Sequence, residues 1–166
     1  MKYFVYVTHY TPLKERKQSL TKQLEIHGLN YNFIESYDKE SLTHDDLIPF
    51  DQSMVKKPQI SLFLKHIKAY ELISKSNNEY SIIFEDDVLL HRNFMIHLEN
   101  GLKQLPEDYD VLLIGEGTGD YHIPSSMLLA NKLVYRKSLN PSQWGGNGAT
   151  RGLDGYIISK KCATII

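Results

Sequence analysis

The chain has 166 residues, 42% hydrophobic and 23% charged, with a net charge of -1. That length suits one domain with a core that needs no staples, and the composition excludes disordered and membrane-embedded classes. A near-neutral balance gives no basic field for nucleic acid or anionic lipid, and Cys162, the lone cysteine, excludes an internal disulfide and fits a reducing, cytoplasmic setting.

In chain order, "KYFVYV" is rich in β-branched and aromatic residues and predicts a buried first strand ending at Thr8 and His9. Thr11 and Pro12 read as an N-cap followed by a helix-opening proline, and Gly28 as the stop after "LKERKQSLTKQLEIH", with Leu13, Leu20 and Leu24 on one face. "YNFIES" is a second strand, so the first three elements predict a βαβ unit with a parallel pair. Residues 38–58 are polar and irregular, with "LTHDDL" a helical turn.

"ISLFLKHIKAYELI" predicts a central helix, with Ile60, Phe63, Leu64 and Ile67 on one face and Leu62, Ala69 and Ile73 on another. "YSIIF" follows as a strand, "FMIHLENGLKQL" as an amphipathic helix, and "DVLLIG" as the next strand. "KLVYR" and "GYIIS" are later strand candidates, the second running into a helix near Lys160. The alternation predicts an α/β domain over 1–166, with a mostly parallel open sheet and helices on both faces. The last helix, "KKCATII", reaches Ile166 without a cap, which reads as a domain cut from something longer. No apolar run approaches the roughly 20 residues of a membrane span.

Glu85, Asp86 and Asp87 close the strand "YSIIF" and stand between two apolar runs. Ligands of open parallel sheets gather at the carboxyl ends of strands. Along an extended chain Glu85 and Asp87 would project to one side and Asp86 to the other, and two carboxylates on one side repel unless a cation separates them. A divalent metal meets that need, and oxygen ligands select manganese or magnesium completed by phosphate oxygens. The substrate implied is a nucleoside diphosphate carrying a leaving group. The competing reading is a solvated acidic turn. A phosphoacceptor receiver domain also uses an acidic pair after a strand, but it needs an aspartate ending a later strand, where this chain has Gly115.

Five segments in order, "VYVTHYTPLKERKQSL", "ISLFLKHIKAYELI", "YSIIFEDDVLL", "YDVLLIG" and "DGYIISKKCATII", resemble glycosyltransferase family 25, the lipopolysaccharide-type and collagen-type galactosyltransferases and glucosyltransferases. The resemblance implies a GT-A-like fold, a UDP-sugar donor, a glycan or protein hydroxyl acceptor, manganese (or magnesium), and inversion at the sugar carbon. It makes Asp87 the direct metal ligand with Glu85 second, sets Asp86 near the ribose or sugar, and puts Thr8 and His9 beside the base. Arg16 matches a helix arginine that pairs with phosphate, or is a solvated charge in "KERK". His66 matches the family's helix histidine, or is a core histidine; Lys65, Gln59, Ser61 and Leu62 depart from the pattern around it. Asp154 in "TRGLDGY" is the candidate base that takes the acceptor proton, or a turn aspartate, and Arg151 steadies phosphate or acceptor. Trp144 in "SQWGGNG" stacks on the donor as part of a lid or plugs the core. "GGNGATRG" lacks the strand and helix that a dinucleotide fingerprint needs. A non-catalytic nucleotide-sugar-binding or scaffold domain of the same fold is the alternative.

Overall fold

The computed structural model describes residues 3–107, 109–114, 134 and 154–166. The chain runs β1 (Phe4–Thr8), α1 (Lys14–Ile26), β2 (Asn30–Ile34), α2 (His44–Leu47), α3 (Lys57–Lys75), β3 (Tyr80–Glu85), α4 (Phe94–Leu102), β4 (Val111–Leu113), β5 (Gly155–Ser159) and α5 (Lys160–Ile165). The candidate strand "KLVYR", Trp144 and Arg151 lie outside the described residues, Val134 excepted.

The five strands form one sheet in the order β2-β1-β3-β5-β4. β1 pairs in parallel with β2 and β3, with Val5 opposite Tyr31 and Ile82. β5 pairs antiparallel with both β3 and β4. The expectation of a mostly parallel sheet is therefore corrected: the sheet is mixed. Strand-helix alternation fixes direction only within consecutive β-α-β units, and it holds there, since β4 runs the same way as β3. β5 breaks it by entering between the two in the opposite sense.

Side-chain alternation sorts the sheet into two faces. Val5, Val7, Ile82, Phe84 and Ile157 face α1 and α4 and bury Leu20, Leu24 and Leu98. Tyr6, Ile83, Tyr156 and Ile158 face α3 and α5 and bury Ala69, Ile73 and Ala163. Helices thus cover both faces, as the sequence predicts. Residues 38–58 hold more than a polar loop: Leu42 and Leu47 bury against Ile60 as a small satellite core, and Thr43 caps α2 through a reciprocal capping box with Asp46.

Thr11 does not cap α1. The helix starts at Lys14, with Leu13 as the capping residue and no side-chain cap, while the Thr11 hydroxyl and N–H both go to Asp38. The stop at Gly28 is as predicted: the N–H of Leu29 reaches the Leu24 carbonyl at 3.0 Å and that of Gly28 the Glu25 carbonyl at 3.0 Å, a Schellman closure with Gly28 at φ 65°. A Cβ on Gly28 would meet nothing within 4 Å, so its cost would be conformational alone. Gly28→Ala is expected to lower stability by about 1 kcal/mol in urea unfolding, with an unchanged m-value.

Candidate active-site cleft

A cleft of about 210 Å³ opens at the carboxyl ends of β1 and β3. Thr8, His9 and Arg16 line one side and Glu85, Asp86 and Asp87 another, and Tyr10, Lys39, Ser61 and Lys65 add to the polar lining. A larger hollow among the described residues, about 780 Å³ beside Tyr80, Tyr109 and Lys160, lies at the opposite end of β3, away from these carboxylates.

β3 stops at Glu85, and Asp86 and Asp87 lie in a turn. Strand alternation therefore does not govern the triplet, and each acid has its own surroundings. Asp86 is buried, at 8% exposure, and accepts from Nδ1 of His9 at 2.8 Å, the N–H of Tyr10 at 3.1 Å and Nη1 of Arg16 at 3.0 Å. A carboxylate only accepts, so His9 carries its proton on Nδ1 in this bond. That leaves Nε2 of His9, also buried, without a hydrogen-bond partner among the described residues. The same Nη1 of Arg16 lies 3.0 Å from Asp87, whose side chain is about half exposed. The other guanidinium nitrogens of Arg16 make no protein hydrogen bond among the described residues. Thr8 is buried and donates to the Phe84 carbonyl at 3.4 Å.

Glu85 is half-buried, and its pKa is pushed up to about 7, first by burial and then by the charges of Asp87, Asp154 and Asp86, against which Arg16 pulls only weakly. Asp154 reaches this corner because β5 is antiparallel. Its start lies level with the end of β3, and the Glu85 N–H donates to the Asp154 carbonyl at 2.9 Å. Gly155 sits so close to Phe84 that a Cβ there would come within 3.0 Å of the ring.

His66 does not line the cleft. It is buried on α3, with Nδ1 2.8 Å from the Tyr156 hydroxyl, which in turn lies 2.7 Å from the Tyr70 hydroxyl. Tyr156 stands next to the carboxylate corner, and the Glu85 charge helps to raise its pKa after burial and Tyr70. The sites expected from sequence thus divide: Thr8, His9, Arg16, Glu85, Asp86 and Asp87 converge, Asp154 adjoins them, and His66 stands behind. Among the described residues no three or more His, Cys, Asp or Glu side chains are grouped to hold a metal by themselves.

Sequence reasoning missed the second polar cluster. Lys65 is 3% exposed, and its Nζ donates to the Ser36 carbonyl at 2.6 Å and to Asp38 at 2.8 Å. Burial pushes the Asp38 carboxyl up, but the bonds from Lys65 and Thr11 outweigh it and hold the group below the usual range. The available signal was the i, i+4 stripe Ser61, Lys65, Ala69, Ile73 on α3, which is polar at its cleft end and apolar under the sheet.

The family model of Glycosyltransferase family 25 (LPS biosynthesis protein) matches residues 3–165. The chain belongs to glycosyltransferase family 25. A search of curated proteins returns no match. Among the described residues of this family 25 chain no helix is long and apolar enough to cross a membrane.

Burial holds His66 down to about 4 from its ordinary 6.5. The unfolded chain takes that proton first, so stability tied to the neutral ring is fully present above about pH 6.5 and is lost as pH falls toward 4, on the order of 3 kcal/mol in all. Urea midpoints at pH 7.5 and 4.5 are expected to fall further apart in the wild type than in His66→Phe.

Proposed function

We propose that this chain is a GT-A-like transferase that moves a sugar, galactose or glucose, from a UDP-sugar to a hydroxyl of a glycan or protein acceptor, with manganese or magnesium and inversion at the sugar carbon. The lone Cys162 fits a cytoplasmic enzyme. The observation that carries the reading is the crowding of Glu85, Asp86 and Asp87, with Asp154 adjoining, at one corner of a cleft whose other polar walls hold Arg16, Lys39 and Lys65. Such a corner suits a substrate that brings both anionic oxygens and a cation.

The residues fit a divalent ion. Glu85 lies near 7 because it is buried and, after that, because negative groups surround it, and the second of these is what a divalent cation would relieve. Manganese and magnesium commonly take one or two protein carboxylates and fill the rest of the shell with phosphate and water, so a three-acid cage is not needed. Asp87, the exposed acid, with Glu85 would hold the ion, which when bound offsets charge on the departing diphosphate.

The chain's own side chains do the rest. Asp86, tied to His9, Tyr10 and Arg16, keeps the nucleotide side of the cleft in register with the metal side. Arg16 offers its unused N–H groups to a phosphate oxygen. Thr8 and His9 frame the base, and His66 bears on the site only through Tyr156. As the acceptor oxygen bonds to the anomeric carbon, the bond to the diphosphate breaks and the acceptor proton passes to Asp154. Arg151 is assigned to the phosphate or acceptor on the family resemblance.

Calorimetry should find UDP binding that strengthens with manganese, and hydrolysis of UDP-galactose or UDP-glucose should fall about 100-fold in Asp87→Ala. UDP binding without turnover of any donor would favour the scaffold alternative, and absence of UDP binding would overturn the reading. In Asp154→Asn, transfer to acceptor is expected to fall about 100-fold or more while UDP affinity stays within error.

A further inference from the structure

Among the described residues the cleft lining includes Arg16, Lys39 and Lys65, each paired with a carboxylate, and of these Lys65 is the buried one. Arg16 and Lys39 are about half exposed, whereas Lys65 is buried with two of its three protons committed to Ser36 and Asp38. Replacing a buried ion pair by well-packed apolar residues is often neutral or stabilising, so the pair is weak evidence of a contribution to folding stability.

The arrangement around the pair is a clasp between two turns. From α3, Ser61 donates to the Tyr37 carbonyl at 2.6 Å, and Lys65 holds the residues on either side of Tyr37. Tyr37 has φ 64°, a backbone state that a residue with a Cβ keeps only where its surroundings hold it. Asp38 then passes the constraint on, since its carboxylate takes both the N–H and the hydroxyl of Thr11. From the adjoining residues of the two turns, the Tyr10 hydroxyl donates to Glu40 at 2.6 Å, and the Lys39 ammonium stands 4.9 Å above the Tyr10 ring. Tyr10 and Lys39 both line the cleft, and the N–H of Tyr10 is one of the three donors on Asp86.

We propose that Lys65 is a positioning residue that, through Asp38 and the Ser36 carbonyl, locks the turns at residues 10–11 and 37–40 into the wall that receives a nucleoside diphosphate. The ligand class rests on the transferase reading above; the clasp rests on the geometry of α3 and the two turns. Lys65 bonds to Ser36 and Asp38 and, among the described residues, makes no hydrogen bond to Glu85, Asp86 or Asp87, so its loss is expected to raise the Kd and KM for the nucleotide and to spare kcat.

The test uses the full chain as wild type, Lys65→Met, and Lys65→Met with Asp38→Asn, the last removing the charge that Lys65→Met alone would leave unpaired in case that single variant does not fold. Hydrogen exchange without ligand should rise about 10-fold at residues 10–11 and 37–40 in the variants and stay level in β3. UDP Kd and donor KM should rise about 10-fold with kcat within about threefold. Unchanged exchange at residues 10–11 would overturn the clasp, and a drop in kcat at constant KM would overturn the positioning role. Should the wild type itself bind no UDP, the transferase reading is what fails, and the exchange pattern still upholds or overturns the clasp.

Discussion

A carboxylate almost out of reach of water holds the cleft together. Asp86 is tolerable there because an imidazole, a backbone N–H and a guanidinium donate to it from the end of β1, the residue after it and α1. Each donor is local to its own element, but all three meet on a single side chain at the end of β3. The parallel pairing of β1 with β3, Thr8 level with Glu85, sets the distance that lets them meet. Slip that register by one residue and His9 would turn to the other face of the sheet. With Asp86 satisfied, Asp87 is left toward solvent and Glu85 is left among like charges, so the three adjacent acids acquire three different chemistries.

The direction of β5 gives the corner its fourth acid. In a fully parallel sheet the residue before a strand lies at the amino end, a strand's length away from the ligand side. Because β5 runs against β3, Asp154 precedes its strand and still arrives beside Glu85. The same inversion places Tyr156 opposite Ile83, facing His66. An antiparallel strand in this position is thus part of how the site is assembled.

Most of the fold was legible because its elements carry strong local periodicity: the β-branched runs of β1, β3 and β5, the Gly28 stop, and the amphipathic α4. The direction of β5 was not, since hydrophobic runs read the same both ways and the direction depends on where the preceding chain brings the strand in. At the site, the carboxylate triplet and the ends of β1 announced themselves through position at strand termini. Their division of labour did not, because it turns on a backbone turn after Glu85 that ends the alternation. Thr11 was misread for a related reason. A Thr-Pro pair is a good helix start, but Asp38, distant in sequence, offered its hydroxyl a charged acceptor and won it. Lys65 was passed over because a lysine within a helix is ordinarily on the solvent face.

The two polar groups on the buried side of α3 differ in what they demand. His66, Tyr156 and Tyr70 form a chain of neutral donors and acceptors inside an apolar layer, and the arrangement survives only while the imidazole stays uncharged. Lys65, one residue before His66 on the same helix, forms an ion pair with Asp38 of the 37–40 turn, which is sustainable because their corner opens on the cleft and two backbone turns supply further partners. The helix therefore changes character along one face, from Ile73 and Ala69 under the sheet, through the neutral histidine, to Lys65 and Ser61 at the cleft. An apolar residue at 65 would remove the bonds to the Ser36 carbonyl and to Asp38, leaving the Ser61 bond to Tyr37 and the Thr11 bonds to Asp38 to hold the turn. Ser61 and Lys65 work together: both side chains reach the same turn, one on its middle carbonyl and one on the residues flanking it.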